Sequence, residues 1–162
     1  MSMNTNHNLI RFFQSFKYAF KGLIYCVKNE RNMRFHLCAA FYVLTFMRAY
    51  DLTSAQRALV YAVIGIVISL EAVNTAIERL VDIASPERNK AAGIAKDCAA
   101  GAVLASAIAA AVIGFEFFWD IDTFRRIGEY FSSHIVMLVL FILSVIIWLI
   151  IIFVPNSKRK EK

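Results

Sequence analysis

The chain has 162 residues, of which 59% are hydrophobic and 19% are charged, and its formal net charge is +6. With a mean hydropathy of +0.58, this composition is typical of integral membrane proteins and leaves no room for a soluble catalytic domain. The basic residues lie at the edges of apolar segments, which membrane topology explains better than nucleic-acid binding does. We therefore expect any active site to lie in or at the membrane, and we predict no nucleic-acid partner.

Residues 9–30 form the first predicted element, an amphipathic helix that lies on the membrane surface. Large apolar residues recur at helical spacing from Leu9 to Val27, and lysines such as Lys17 and Lys21 lie between them. A basic face opposite a face rich in phenylalanine and leucine is typical of an interfacial helix. The same pattern also fits an amphipathic helix that packs against a partner.

Four apolar runs follow, and each predicts a membrane-spanning helix of about 20 residues, so we predict an all-α, multi-pass membrane protein. The predicted spans are, in chain order, residues 34–50, 57–84, 94–119 and 134–154. The first run is the shortest, and the second is preceded by Thr53 and Ser54, either of which can cap a helix. Residues 120–133 are predicted to form a polar link, and a basic tail follows the fourth span up to Lys162.

The distribution of lysine and arginine predicts that both termini lie in the cytoplasm. Six basic residues occur within the first 34 positions, and Arg79, Arg88, Lys90 and Lys96 lie in or beside the link between the second and third spans. The other two links carry two arginines each. Because positively charged segments stay in the cytoplasm, the two termini and the link between the second and third spans are predicted to face that side.

The second predicted span carries a stripe of polar residues. Glu71, Asn74, Glu78 and Asp82 are spaced three, four and four apart, which puts them on one helix face. Glu71 lies within hydrocarbon depth, where a carboxylate costs roughly 2.5–3.5 kcal/mol on insertion scales and marks a functional site by default. The predicted topology puts three more charged residues at the same boundary: Glu30, Lys96 and Asp97.

This stripe has the chemistry of a phosphate-handling site. Several carboxylates in one place repel each other and are stable only with protons or cations, and Mg²⁺ often binds through one or two carboxylates plus substrate phosphates. Lys96 supplies a positive charge that suits a phosphate. Glu71 lies about 10 Å deeper than Glu78, at 1.5 Å per residue, and that depth suits a general base acting on a lipid alcohol.

Other interpretations of the same residues remain open. Two acid–base pairs fit surface ion pairs at a helix end: Glu78 with Arg79, and Asp82 with Arg88. Glu71 could make a buried hydrogen bond with Asn74 or with a neighbouring subunit, and Lys96 could extend to the membrane surface. Charge and periodicity do not choose between a membrane enzyme and an ion or proton pathway.

Four blocks of sequence occur in a characteristic order and spacing: FKYAFKG at 16–22, ERNMR at 30–34, EAVNTAIERLVD at 71–82 and AKDCAAGAVL at 95–104. With them, residues 9–119 resemble the small prokaryotic diacylglycerol kinase and undecaprenol kinase family. The resemblance implies an ATP-dependent lipid kinase in the prokaryotic cell membrane, with Mg²⁺ as cofactor, and a homotrimer with shared active sites. Gly101, Ala105 and Ala109 in the third span are four apart and would let another helix approach closely.

The resemblance also implies roles for individual residues. Glu71 would be the general base that takes the proton of the lipid hydroxyl, with Asn74 beside it, and Glu30 and Glu78 would hold the divalent metal. The residues implied in nucleotide binding are Tyr18, Glu30, Glu78, Asp82, Glu87, Arg88, Asn89, Lys96 and Asp97. Those implied at the lipid substrate are Arg11, Glu71 and Ala100.

The chain extends beyond the core of that family, and the family itself divides by lipid substrate. Residues 1–119 form the kinase domain, and residues 120–162, with the fourth span, are additional. The segment ERNMRFH at 30–36 looks more like undecaprenol kinases, so undecaprenol is the predicted substrate and diacylglycerol, giving phosphatidic acid, is the alternative. From other classes, a proton or cation pathway and an inactive lipid-binding scaffold remain as rival interpretations.

Overall fold

The structure is a computed structural model, and it describes residues 5–87 and 89–153. The described chain folds into six α-helices, with one short 3₁₀-helix after the second. They are α1 (Thr5–Asn29), α2 (Arg31–Phe46), the 3₁₀-helix Met47–Ala49, α3 (Ser54–Ala84), α4 (Lys90–Phe118), α5 (Ile121–Ser133) and α6 (Ile135–Phe153). Within these residues there is no β-strand, so the all-α prediction is confirmed.

Three helices, α3, α4 and α6, are long and apolar enough to cross a membrane, as expected for a multi-pass protein. The first predicted span corresponds to α2, which has 16 residues. At 1.5 Å per residue α2 is about 24 Å long, shorter than the ~30 Å hydrocarbon core, so its spanning role stays a prediction. The predicted basic tail lies outside the described residues.

The two longest helices begin at capping residues that hold their first turns. The Thr53 hydroxyl accepts a hydrogen bond from the Gln56 backbone N–H at 3.3 Å, and the Gln56 side chain accepts from the Thr53 N–H at 2.8 Å. This reciprocal capping box selects Thr53 over Ser54 as the cap of α3. The Asn89 side chain caps α4 by accepting from the Ala91 N–H at 2.9 Å.

Helices α3 and α4 make the most extensive helix–helix contact in the chain. Val60 and Val67 of α3 and Ala99 and Val103 of α4 are buried. The predicted small-residue face of α4 lies on another side, because Gly101, Ala105 and Ala109 are all exposed. That face is therefore not used for packing among the described residues.

The link of residues 120–133 is mostly helical, and this helix was not predicted from the sequence. Asp120 caps α5, with its carboxylate accepting from the backbone N–H groups of Asp122 and Thr123 at 3.3 and 3.2 Å. Apolar Ile121 and Phe124 recur at helical spacing among the polar residues. The helix was not predicted because the charged residues of this segment obscure a short amphipathic pattern.

Helix α6 packs against α2 in the antiparallel direction. The Tyr42 hydroxyl lies 2.9 Å from the Ser144 hydroxyl, and the Phe46 and Phe141 rings are 5.6 Å apart. At the other end of the pair, Arg34 of α2 donates a hydrogen bond to the backbone carbonyl of Ile152 at 3.1 Å. The last turn of α6 therefore lies at the same end of the bundle as the junction between α1 and α2.

Candidate active site

Glu71 is the most deeply buried acid in the described chain, with 2% of its surface exposed. Asn74 and Thr75, on the next turn of α3, are also buried, and the Thr75 hydroxyl donates to the Glu71 backbone carbonyl at 3.0 Å. Within the described residues, Glu71 Oε2 and Asn74 Oδ1 are buried without a hydrogen-bond partner. Since buried polar atoms are normally satisfied, a proton, a cation or a substrate group is expected there.

Glu30, between α1 and α2, and Glu78, two turns after Glu71 on α3, lie within electrostatic range of Glu71. Glu30 occupies the single-residue break between α1 and α2, with an extended backbone (φ −108°, ψ 122°) and no side-chain capping bond to its own helix. Glu78 accepts a hydrogen bond from Asn74 Nδ2 at 3.0 Å. Both carboxylates interact electrostatically with Glu71, so the structure brings the three predicted acids together.

Arg79 completes this acidic cluster of Glu30, Glu71 and Glu78. Its guanidinium lies 3.3 Å from Glu30 Oε1 and 5.6 Å from the centre of the Tyr25 ring. The Glu30 side chain is 14% exposed and the Arg79 side chain 43% exposed, so the pair lies at the edge of the bundle. Arg79 thereby connects α3 to the end of α1.

A divalent cation fits this cluster, although its geometry here is not a closed metal site. Among the described residues, no group of three or more His, Cys, Asp or Glu side chains is close enough to hold a metal ion. The orphaned oxygens of Glu71 and Asn74, beside two further carboxylates, nevertheless leave excess negative charge against the single guanidinium of Arg79. Two carboxylates plus substrate phosphates make a donor set that Mg²⁺ accepts.

A second polar cluster lies where α3 meets α4. Lys96 forms an ion pair with Asp82, and both side chains are partly exposed. These residues line an open cavity of about 440 Å³ together with Glu87, Asn89 and Lys90. The predicted nucleotide-binding residues Asp82, Glu87, Asn89 and Lys96 are thus brought together, while Arg88 lies outside the described residues.

Four predicted site residues do not join either cluster within one chain. Arg11 and Tyr18 are exposed on α1, about 28 Å and 18 Å along the helix from Glu30 at 1.5 Å per residue. Asp97 and Ala100 are exposed on α4, whereas Ala99 between them packs inside. The site of a single chain is therefore open on these two sides.

Sequence reasoning missed the roles of Arg79 and Arg34. Arg79 was considered as the surface partner of Glu78, but it pairs with Glu30, 49 residues away. Adjacent residues on a helix do not face each other, and that rule alone could have excluded the Glu78 pairing. Arg34 is 9% exposed, which its position in a charged stretch before the first span did not suggest.

Comparison with known proteins identifies the family of the chain. The family model described as Prokaryotic diacylglycerol kinase matches residues 17–118, which end with α4. The chain is 38% identical over 117 residues to an undecaprenol kinase from Bacillus subtilis, covering 72% of this chain and 95% of that protein. It is 40% identical over 101 residues to a diacylglycerol kinase from Synechocystis, covering 62% of this chain and 58% of that one.

Both relatives carry the name of a kinase, which decides between a membrane enzyme and an ion or proton pathway in favour of the enzyme. The matched segment contains the acidic cluster and the cavity between α3 and α4. The chain therefore belongs to the prokaryotic diacylglycerol kinase family and is a lipid kinase.

Proposed function

We propose that this lipid kinase transfers the γ-phosphoryl group of ATP to the hydroxyl of undecaprenol, giving undecaprenyl phosphate. The observation that carries the proposal is the buried Oε2 of Glu71, without a partner among the described residues, in a helix of membrane-spanning length. The undecaprenol kinase relative is matched over 95% of its length, which favours the polyprenol. Diacylglycerol is the second candidate, since a diacylglycerol kinase is 40% identical over a shorter segment.

Glu71 is the general base in this proposal. Its carboxylate takes the hydroxyl proton while the lipid oxygen attacks the γ-phosphorus, and the bond from that phosphorus to the β,γ-bridging oxygen breaks to release ADP. A base at this depth suits an alcohol whose hydrocarbon chain stays in the bilayer. Asn74 holds Glu78 through its Nδ2, and its Oδ1 is buried without a hydrogen-bond partner among the described residues.

The remaining clusters bind the nucleotide in this proposal. Glu30 and Glu78 would hold Mg²⁺, which neutralises the charge of the phosphates when bound. Lys96 would exchange its bond with Asp82 for a phosphate oxygen, since both side chains border the open cavity. Asn89 stays engaged as the cap of α4, so its part is to fix the rim of that cavity.

We further propose that the end of the bundle with the acids faces the cytoplasm, where ATP is found. The ends of α1, α3 and α6 share that end, which agrees with cytoplasmic termini. A homotrimer would bring a neighbour's surface to the open sides of the site. Its contacts would use the exposed small face of α4 and the residues that one chain leaves apart: Arg11, Tyr18, Asp97 and Ala100.

The test is phosphate transfer from labelled Mg-ATP in detergent micelles, with undecaprenol and diacylglycerol offered separately. Faster labelling of undecaprenol by the wild-type chain, lost in Glu71→Gln, is the expected result. Faster labelling of diacylglycerol would keep the mechanism and overturn the substrate. No labelling of either lipid by folded, trimeric protein would refute the proposed function.

A further inference from the structure

Helix α6 lies beyond the family match, yet its last turn contacts a buried residue next to the acidic cluster. Arg34 of α2 is 9% exposed and lies four residues after Glu30. Its Nη2 donates to the Ile152 carbonyl of α6 at 3.1 Å. Its Nη1 donates to the carbonyls of Val27 and Lys28, both at 3.2 Å. One guanidinium therefore bridges α1 and α6.

These three acceptors are all helix-terminal carbonyls. Val27 and Lys28 lie in the last turn of α1, where carbonyls lack an intrahelical partner, and Ile152 lies in the last described turn of α6. The carbonyl end of a helix also carries partial negative charge, which favours a cation. Arg34 thus bonds the end of α1 and the last described turn of α6 through its two terminal nitrogens, while its Nε is buried without a hydrogen-bond partner among the described residues.

The bridge fixes the place where α1 ends. Glu30 follows Val27 and Lys28 by three and two residues and has no side-chain capping bond that would orient it. Most of α1 is exposed, including Leu23 and Ile24 close to its end. The position of the Glu30 carboxylate therefore depends on two contacts: its ion pair with Arg79 of α3 at 3.3 Å, and the bonds from Arg34 that hold the last turn of α1.

A second contact between α2 and α6 is independent of the site. Tyr42 comes eight residues after Arg34 in α2, and Ser144 comes eight residues before Ile152 in α6. The two contacts therefore share one antiparallel register. Eight residues correspond to about 12 Å along a helix. At this distance, the Tyr42–Ser144 contact can be removed to loosen α6 without a direct effect on Glu30.

We propose that Arg34 is a positioning residue through which the additional helix α6 holds the end of α1, and with it the Glu30 carboxylate, in the nucleotide and metal site. The kinetic part of this inference rests on the proposed function. The structural part, a clamp between α1 and α6, does not.

The first experiment compares Arg34→Met with Arg34→Lys in the full chain. Methionine keeps the apolar stem and removes the three bonds, so the KM for Mg-ATP should rise about tenfold while the KM for the lipid changes less than about twofold. Lysine keeps the charge and should recover part of the affinity. Hydrogen exchange of the backbone amides in the last turn of α1 should accelerate in Arg34→Met.

A second pair of variants tests α6 itself. Ile152→Ala and Ile152→Gly both remove the buried side chain, but glycine also loosens the backbone that holds the accepting carbonyl. The glycine variant should raise the KM for Mg-ATP about threefold above the alanine variant. Ser144→Ala is the matched control, and it should change neither this KM nor exchange in α1.

An unchanged KM for Mg-ATP in Arg34→Met, or an equal rise in both KM values, would overturn the positioning role. Equal KM values for Mg-ATP in Ile152→Ala and Ile152→Gly would show that α6 has no part in positioning Glu30. If the wild-type chain transfers no phosphate, the proposed function fails by itself. Hydrogen exchange then tests the clamp between α1 and α6. Unaltered protection of the backbone amides of α1 in Arg34→Met would refute that clamp.

Discussion

Helices α3 and α6 are both apolar and long enough to span a membrane, but they contribute to the protein in opposite ways. Three of the buried residues in α3 are polar, namely Glu71, Asn74 and Thr75. Helix α6 has no charged residue, and Ile152 is its one buried residue. The first helix provides side-chain chemistry, whereas the second offers the site a backbone carbonyl. A membrane helix without functional side chains can thus still bear on a site through its position.

The largest effect should come from the α3 side of this comparison. Glu71→Gln keeps the size of the side chain but removes the base, so the rate of phosphate transfer should fall about 10²–10⁴-fold. Initial rates with saturating Mg-ATP and lipid measure the loss. Thr75→Val is the matched control, because it removes a buried hydroxyl one turn away, and it should cost less than about tenfold. A loss of similar size in both variants would contradict the role of Glu71.

A smaller effect is expected from removing the guanidinium of Arg79, which lies beside the acidic cluster. Arg79→Met removes the positive charge that pairs with Glu30, so the Mg²⁺ concentration for half-maximal activity should fall about threefold. A Mg²⁺ titration at fixed ATP concentration measures it. Arg125→Met breaks a comparable ion pair with Asp122 on α5 and should leave the titration unchanged. An increase in the required Mg²⁺ would show instead that Arg79 contacts the nucleotide.

On the α6 side, the contact between Tyr42 and Ser144 should contribute to the stability of the protein and not to the rate of phosphate transfer. Tyr42→Phe removes the hydrogen bond to Ser144, and the free energy of unfolding should fall by about 1 kcal/mol. Thermal unfolding in micelles measures the change. Ser144→Ala should have a similar effect, and the double variant should lose less than the sum of the two, because both remove one interaction. Strictly additive losses would mean that the two hydroxyls are not coupled.

The smallest effect concerns the start of α5, which leads into α6. The hydrogen bond from the Thr123 hydroxyl, helped by two backbone N–H groups and Arg126, lowers the pKa of Asp120 below its ordinary value of 3.8. The stabilisation is therefore complete above that value and is lost as the pH falls through the lower, folded pKa. Melting temperatures between pH 3 and pH 7 should show a shallower acid decline in Asp120→Asn. Identical acid profiles would contradict this.

Local patterns predicted much of the fold because they depend on neighbouring residues. Apolar runs marked α3, α4 and α6, and the spacing of Glu71, Asn74 and Glu78 marked one polar face. Helix α5 was missed because its apolar positions are few and are surrounded by charges.

Contacts between distant parts of the chain could not be predicted in the same way. Arg79 meets Glu30 across 49 residues, and Arg34 meets Ile152 across 118. These pairings follow from how the helices pack, which no local period encodes. Residues such as Arg11 and Tyr18 were placed at the site by family resemblance alone, and a single chain leaves them exposed.

The one-residue break at Glu30 has a mechanical consequence. Helix α1 has 25 residues and is about 37 Å long, so any rotation about the break would move it as a lever with its pivot at Glu30. A swing of about 5° in a fluctuating bilayer would move its far end by about 3 Å at that length. The pivot itself would hardly move. An acid placed at this pivot would keep its distance to Glu71 and Glu78 while α1, if it lies on the membrane surface as predicted, followed the lipid.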